Sequence, residues 1–151
     1  MKPSRSLTVY IATSAGRNLH AYFLLRERLW EKGHKVLDWT TLPEFPLAPD
    51  IPVDKRRACY AKDSFGEVFA FCSQAVNHAD LVIYLGLAGQ DAAVEVGMAH
   101  AVGTPVYGLR GLFEAPGTML FFAVQQWFSE PGALLAAVER FAEETPEAGA
   151  A

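Results

Sequence analysis

The chain has 151 residues, 51% hydrophobic and 20% charged, with a formal net charge of -4. That length suits one domain with a core of its own, and the acidic balance excludes the basic footprint that a nucleic-acid polymer requires. No apolar run reaches the roughly 18 residues of a membrane span, and no Cys-x-x-Cys or His/Cys cluster has zinc-ligand spacing, so neither a membrane nor a metal partner is expected.

Met1–Ser6 is basic but runs directly into an apolar strand, unlike a signal peptide, so the expected compartment is the cytoplasm. Leu7–Thr13 (LTVYIAT) reads as a buried strand. Asn18 is placed to cap a helix that runs through Glu31, with Ala21, Leu24, Leu25 and Leu29 at helical spacing and Gly33 as its stop. Val36–Trp39 is the second strand. Pro43, Pro46, Pro49 and Pro52 then impose an extended loop, because each removes a backbone donor and fixes φ. Arg57–Asn77 reads as a helix with Phe65, Phe69, Cys72 and Val76 on one stripe. On that helix Cys59 and Cys72 stand about 20 Å apart, too far for a disulfide.

Leu81–Leu85 is the third strand, Ala92–Val102 a helix and Pro105–Leu109 the fourth strand. A short helix over Thr118–Phe122 precedes a fifth strand, Ala123–Phe128, and Ser129 is placed to cap a last amphipathic helix to about Ala142. Residues 1–145 form one domain in this reading, and 146–151 a frayed tail. Strands that are near-continuous apolar runs, alternating with helices, predict an α/β three-layer sandwich. Its sheet is five-stranded and mostly parallel, in the flavodoxin- or Rossmann-like manner. Ligands in such sheets bind beyond the carboxyl ends of the strands. That rule selects Ser14–Asn18, Trp39–Asp54, Gly86–Glu95 and Arg110–Thr118.

The helix after strand three is apolar except at Asp91, Glu95 and His100. An ionised carboxylate buried without a partner costs several kcal/mol, so Glu95 calls for a reason. Asp91 and Glu95 are four residues apart, share one face, and are both expected in the first turn, where the helix dipole favours negative charge. One reading makes them a site; the other makes Asp91 an N-cap and Glu95 a solvent-facing charge. In the first loop, the backbone of Ser14 and Gly16 suits an anion or sugar hydroxyls, and Arg17 suits a phosphate. Tyr10 lines the site or simply packs in the core, and Trp39 stacks on a base or packs. His34 and His78 read as surface turn residues.

Three segments carry a resemblance: VYIA at Val9–Ala12, ADLVI at Ala79–Ile83, and E-V-G-x-A-x-A-x-G-x-P-V at Glu95–Val106. On these the chain resembles the nucleoside 2-deoxyribosyltransferase superfamily, which includes nucleotide N-glycosidases. The resemblance implies that Glu95 is the nucleophile, forming a covalent glycosyl-enzyme at the anomeric carbon while the nucleobase leaves. It implies a small nucleoside or nucleotide substrate, no cofactor, and a homodimer whose subunits share their sites, for which Met119–Phe122 offers an apolar patch. The chain departs from the family pattern at two positions. Cys72 stands where the family has an Asp, and Gly89 where nucleotide-hydrolysing members have a phosphate-binding Ser. Asp91 is left either to assist the leaving base, to orient the nucleophile, or to bond the sugar hydroxyls. The alternative function is a non-catalytic nucleotide-binding or regulatory module of the same fold.

Overall fold

The computed structural model describes residues 5–42, 54–55 and 63–146. Its elements are β1 (Thr8–Ala12), α1 (Ala15–Glu31), β2 (Lys35–Val36), a 3-10 turn (Trp39–Thr41), α2 (Asp63–His78), β3 (Leu81–Leu85), α3 (Gln90–Ala101), β4 (Val106–Leu109), α4 (Thr118–Ala123), β5 (Gln126–Phe128) and α5 (Pro131–Glu144). The predicted proline loop and the start of the predicted helix at Arg57 lie outside the described residues.

The five strands form one sheet in the order β2-β1-β3-β4-β5, and every pairing is parallel. Strand side chains alternate between two faces, and the two cores follow that alternation. Val9 and Ile11 of β1, with Leu81, Ile83 and Leu85 of β3, pack against Tyr22, Leu25 and Leu29 of α1 and Leu134 and Val138 of α5. Tyr10 and Ala12, with Val82 and Tyr84, face α2, α3 and the residue that ends α4 through Val76, Ala92, Val96, Ala99 and Val124. A side chain such as Leu29, with no exposed surface, contributes roughly 1.5–3 kcal/mol by leaving water. The three-layer, mostly parallel sandwich expected from the sequence is the observed fold.

Several boundaries move, each for a local reason. The first helix starts at Ala15, and Asn18 lies inside it at a non-helical φ of -122°. The Asn18 amide is directed outward, donating to Thr13 Oγ1, Leu85 O and Leu87 O, so it links loops instead of capping. The second strand ends at Val36 because the Asp38 carboxylate accepts from the backbone N and hydroxyl of Thr40 and winds the chain into the 3-10 turn. The last helix begins at Pro131, with Glu130 and not Ser129 at the N-cap. Gly33 closes α1 at φ +84°, a region that favours glycine.

Burial also corrects three sequence readings. Leu24 and Phe69 point to solvent, 53% and 69% exposed. His34 is buried: its Nδ1 accepts from Leu7 N, and its Nε2 lies 2.8 Å from Glu139. Asp80, in the ADLVI segment, holds the amino ends of the strands by accepting from Thr8 N at 2.7 Å and pairing with Arg5 at 2.8 Å. That places this part of the motif at the end of the sheet opposite the site.

Candidate active site

The strand order reverses between β1 and β3, and their carboxyl ends define the crevice where open α/β sheets bind ligands. Tyr10 on β1 and Glu95 on α3 meet there. The Tyr10 hydroxyl donates to Glu95 Oε1 at 2.7 Å. Tyr10 is 1% exposed and Glu95 half-buried, so the solvent-facing reading of Glu95 does not hold. Gly89, not Asp91, occupies the N-cap of α3. The helix thus opens two residues earlier than its apolar pattern indicates, since Gln90 and Asp91 are polar. Asp91 lies in the first turn and Glu95 in the second, so the helix dipole acts mainly on Asp91.

Three groups meet around this carboxylate: Tyr10, Asp91 and Cys72. Burial raises the Glu95 pKa to about 7; the Tyr10 hydrogen bond opposes it, Asp91 adds to it, and the Cys72 thiol opposes it. Burial likewise pushes the Cys72 thiol up to about 11, with the Glu95 and Asp91 charges adding to it and Tyr10 opposing. The Tyr10 phenol is pushed upward by burial and by Glu95, so it stays a donor. Burial thus carries the Glu95 titration from the ordinary carboxylate range up towards neutral pH.

Cys72 thus lies beside the carboxylate while also packing at the edge of the core. Counting along the sequence marked its position, but an apolar-looking stripe concealed its contact.

The other candidates divide between places. Arg17 and Gly89 line an open cleft of about 710 Å³ with Gln90, Ala93, Phe113 and Glu114. At about 100° per residue, the Gln90/Ala93 flank lies roughly 150° round α3 from the Asp91/Glu95 flank. This cleft is therefore separate from the Glu95 carboxylate, which faces α2 and β1. Trp39 is structural in its contacts: its Nε1 donates to Ile11 O at 2.9 Å and its ring lies 4.8 Å from that of Tyr22. Ser14 sits at the N-cap of α1 with no side-chain bond to the helix, and a Cβ at Gly16 or Gly89 would meet open space. Among the described residues no group of three or more His, Cys, Asp or Glu is placed to hold a metal ion.

A second Tyr–Glu pair escaped the sequence reading. Tyr84 on β3 donates to Glu114 in the loop after β4, and Glu114 also accepts from Gly111 N at 2.7 Å. Glu114 is 7% exposed, although its neighbours Leu112 and Phe113 are 85% and 94% exposed. No periodicity in a loop reports such burial.

No protein-family model matches the sequence, and no curated protein does. Solved structures do. A 2-deoxyribosyltransferase from the psychrotolerant bacterium Bacillus psychrosaccharolyticus aligns at TM-score 0.61 and 17% identity, over 84% of this chain and 89% of that one. The Clostridium botulinum CMP N-glycosidase BcmB aligns at TM-score 0.55 and 16% identity, over 89% and 98%. A conserved protein from Enterococcus faecalis V583 aligns at TM-score 0.58 and 16% identity, again over 89% and 98%. At these identities the likeness establishes the shared fold, over nearly the whole of each chain.

Proposed function

We propose that this protein is a member of the nucleoside 2-deoxyribosyltransferase-like superfamily and cleaves or transfers at the N-glycosidic bond of a (deoxy)nucleoside or nucleotide. The observation that carries the reading is the half-buried Glu95 carboxylate, held by the Tyr10 hydroxyl at 2.7 Å at the β1/β3 switch point. A 2-deoxyribosyltransferase and a CMP N-glycosidase with the same fold support it. In the proposed reaction an ionised Glu95 oxygen bonds to the anomeric carbon as the carbon–nitrogen bond breaks. The base leaves with the electron pair and takes a proton from solvent, relayed through the Asp91 carboxylate. Water or a second base then displaces Glu95 and restores the configuration, as in retaining glycosidases. The Tyr10 and Cys72 donors favour the ionised form of the nucleophile while burial opposes it.

Ser14 and Gly16 belong to the binding surface in this proposal, while Arg17 and Gly89 line the separate cleft on the other flank of α3. The reading extends to a cytoplasmic enzyme without cofactor, one domain over 1–145, and a tail from 146. It also includes a homodimer: Met119 and Phe122 are 86% and 73% exposed beside the cleft, an apolar surface suited to a second copy. Sedimentation at micromolar concentration is expected to give twice the chain mass.

The direct test is chromatography of free base after incubation with deoxynucleosides, ribonucleosides and their monophosphates, with and without an acceptor base. Base release that vanishes in Glu95→Gln supports the proposal, and dependence on acceptor separates transfer from hydrolysis. Binding without base release favours the regulatory module, the reading to which the neutral Cys72 thiol in place of a family carboxylate points.

A further inference from the structure

We propose that Tyr84 and Glu114 are positioning residues for Glu95: they clip the loop that opens α3 to the loop after β4 and so set where α3 presents its carboxylate. The inference rests on the reading of Glu95 as the reactive group. Only four residues, Gly86–Gly89, separate β3 from α3. Tyr84, 2% exposed, reaches both loops: its hydroxyl accepts from Ala88 N at 3.2 Å and donates to Glu114. Glu114 completes the clip by accepting from Gly111 N at 2.7 Å.

The two loops also meet backbone to backbone. A Cβ on Gly86 would lie 1.9 Å from Glu114 Oε2, and one on Gly111 would lie 2.5 Å from Leu87 N. Glycine is required at both positions for close approach. From the opposite side Asn18 donates to Leu87 O at 2.8 Å. The link into α3 is therefore held from both flanks. The turn that returns Glu114 to the interior passes through Phe113 at φ +62°, a conformation costly for a side chain with a Cβ. The buried Glu114 contacts hold that turn in place.

A carboxylate suits this place because two donors converge on it, the Tyr84 O–H and the Gly111 N–H. A glutamine offers one acceptor oxygen and turns its NH₂ against one of those donors. Burial, Tyr10, Asp91 and Cys72 act on the Glu95 ionisation directly. Tyr84 and Glu114 reach it through the backbone of the α3 entry. Displacing a reacting group by about 1 Å costs on the order of 10²-fold in rate, so a clip at the helix entry has leverage on chemistry.

The test uses the full chain and the variants Tyr84→Phe, Glu114→Gln and the two combined. Side-chain carboxyl titration by ¹³C NMR follows Glu95, its signal assigned by its loss in Glu95→Gln. Both single variants are expected to lower the Glu95 midpoint by about half a unit or more, as a loosened entry admits water. The double variant is expected to go little further, because both residues serve one clip. In base release kcat falls roughly tenfold to a hundredfold with KM within about twofold. Folded single variants that keep the parent's Glu95 midpoint overturn the proposal, whatever their thermal stability. The titration needs no substrate. Full activity in Glu95→Gln overturns the nucleophile reading separately, and Tyr84→Phe serves if Glu114→Gln fails to fold.

Discussion

Two tyrosines on neighbouring strands of one sheet face each donate to a glutamate, yet the glutamates occupy opposite situations. Tyr84 and Gly111 N both donate to Glu114, which ties two loops together. Glu95 receives Tyr10 and a thiol, has Asp91 as a like-charged neighbour, and sits where burial outweighs its donors. A buried carboxylate supplied with backbone and side-chain donors is a fastening. One whose second donor is only a weak thiol, and which has a like charge beside it, keeps a titration in the neutral range and remains available for chemistry.

The sharpest way to break this contrast is Glu95→Gln. It keeps an acceptor for Tyr10 but removes the nucleophile, and base release is expected to fall by at least about 10³-fold in steady-state assays. On the fastening side, Gly86→Ala drives a methyl into Glu114 Oε2 and is expected to cost roughly 2 kcal/mol in urea unfolding. A result under about 0.5 kcal/mol would mean that the loops part easily.

The pH dependence of stability separates the pairs further. Burial holds the folded Glu95 pKa at about 7, well above the ordinary carboxylate range of an unfolded chain. The native state thus holds a proton that the unfolded chain has released, and stability falls as pH rises through that window. The loss is on the order of 2 kcal/mol. Unfolding curves at pH 5 and pH 8 should show it in the parent and not in Glu95→Gln. An equal decline in both would assign it elsewhere.

Tyr10→Phe removes the bond that opposes the upward shift. The acid limb of the rate profile should move to higher pH, with about a tenfold loss at pH 7 that recovers in alkali. The smallest effect belongs to Cys72→Ala, which removes a weak donor and should lower the rate only a few-fold. Abolition of activity in that variant would make the thiol essential.

Periodicity and chain order alone predicted the layered sheet, because alternating apolar strands and helices leave few ways to bury both faces. Glu95 was legible for a related reason: a carboxylate in an otherwise apolar helix is costly wherever that helix packs. Asp91 stood out beside it by helical spacing. The pairing of Tyr10 with Glu95 was not legible, since 85 residues separate them and only the β1/β3 crossover brings them together.

The same limit hid the contact of Cys72 with Glu95, although counting along the sequence marked its position; its side chain serves the core edge and the carboxylate at once. It also hid Glu114, which a loop carries into the interior without a repeating pattern. His34 read as a surface turn because nothing local reveals that Glu139 and Leu7 N close over it. The sequence by itself determined the layering of strands and helices and most of each buried stripe, because that depends on side-chain period along one element, although Leu24 and Phe69 on those stripes face solvent. Tertiary structure alone decided which buried polar groups find partners, because those partners arrive from elements distant in the chain.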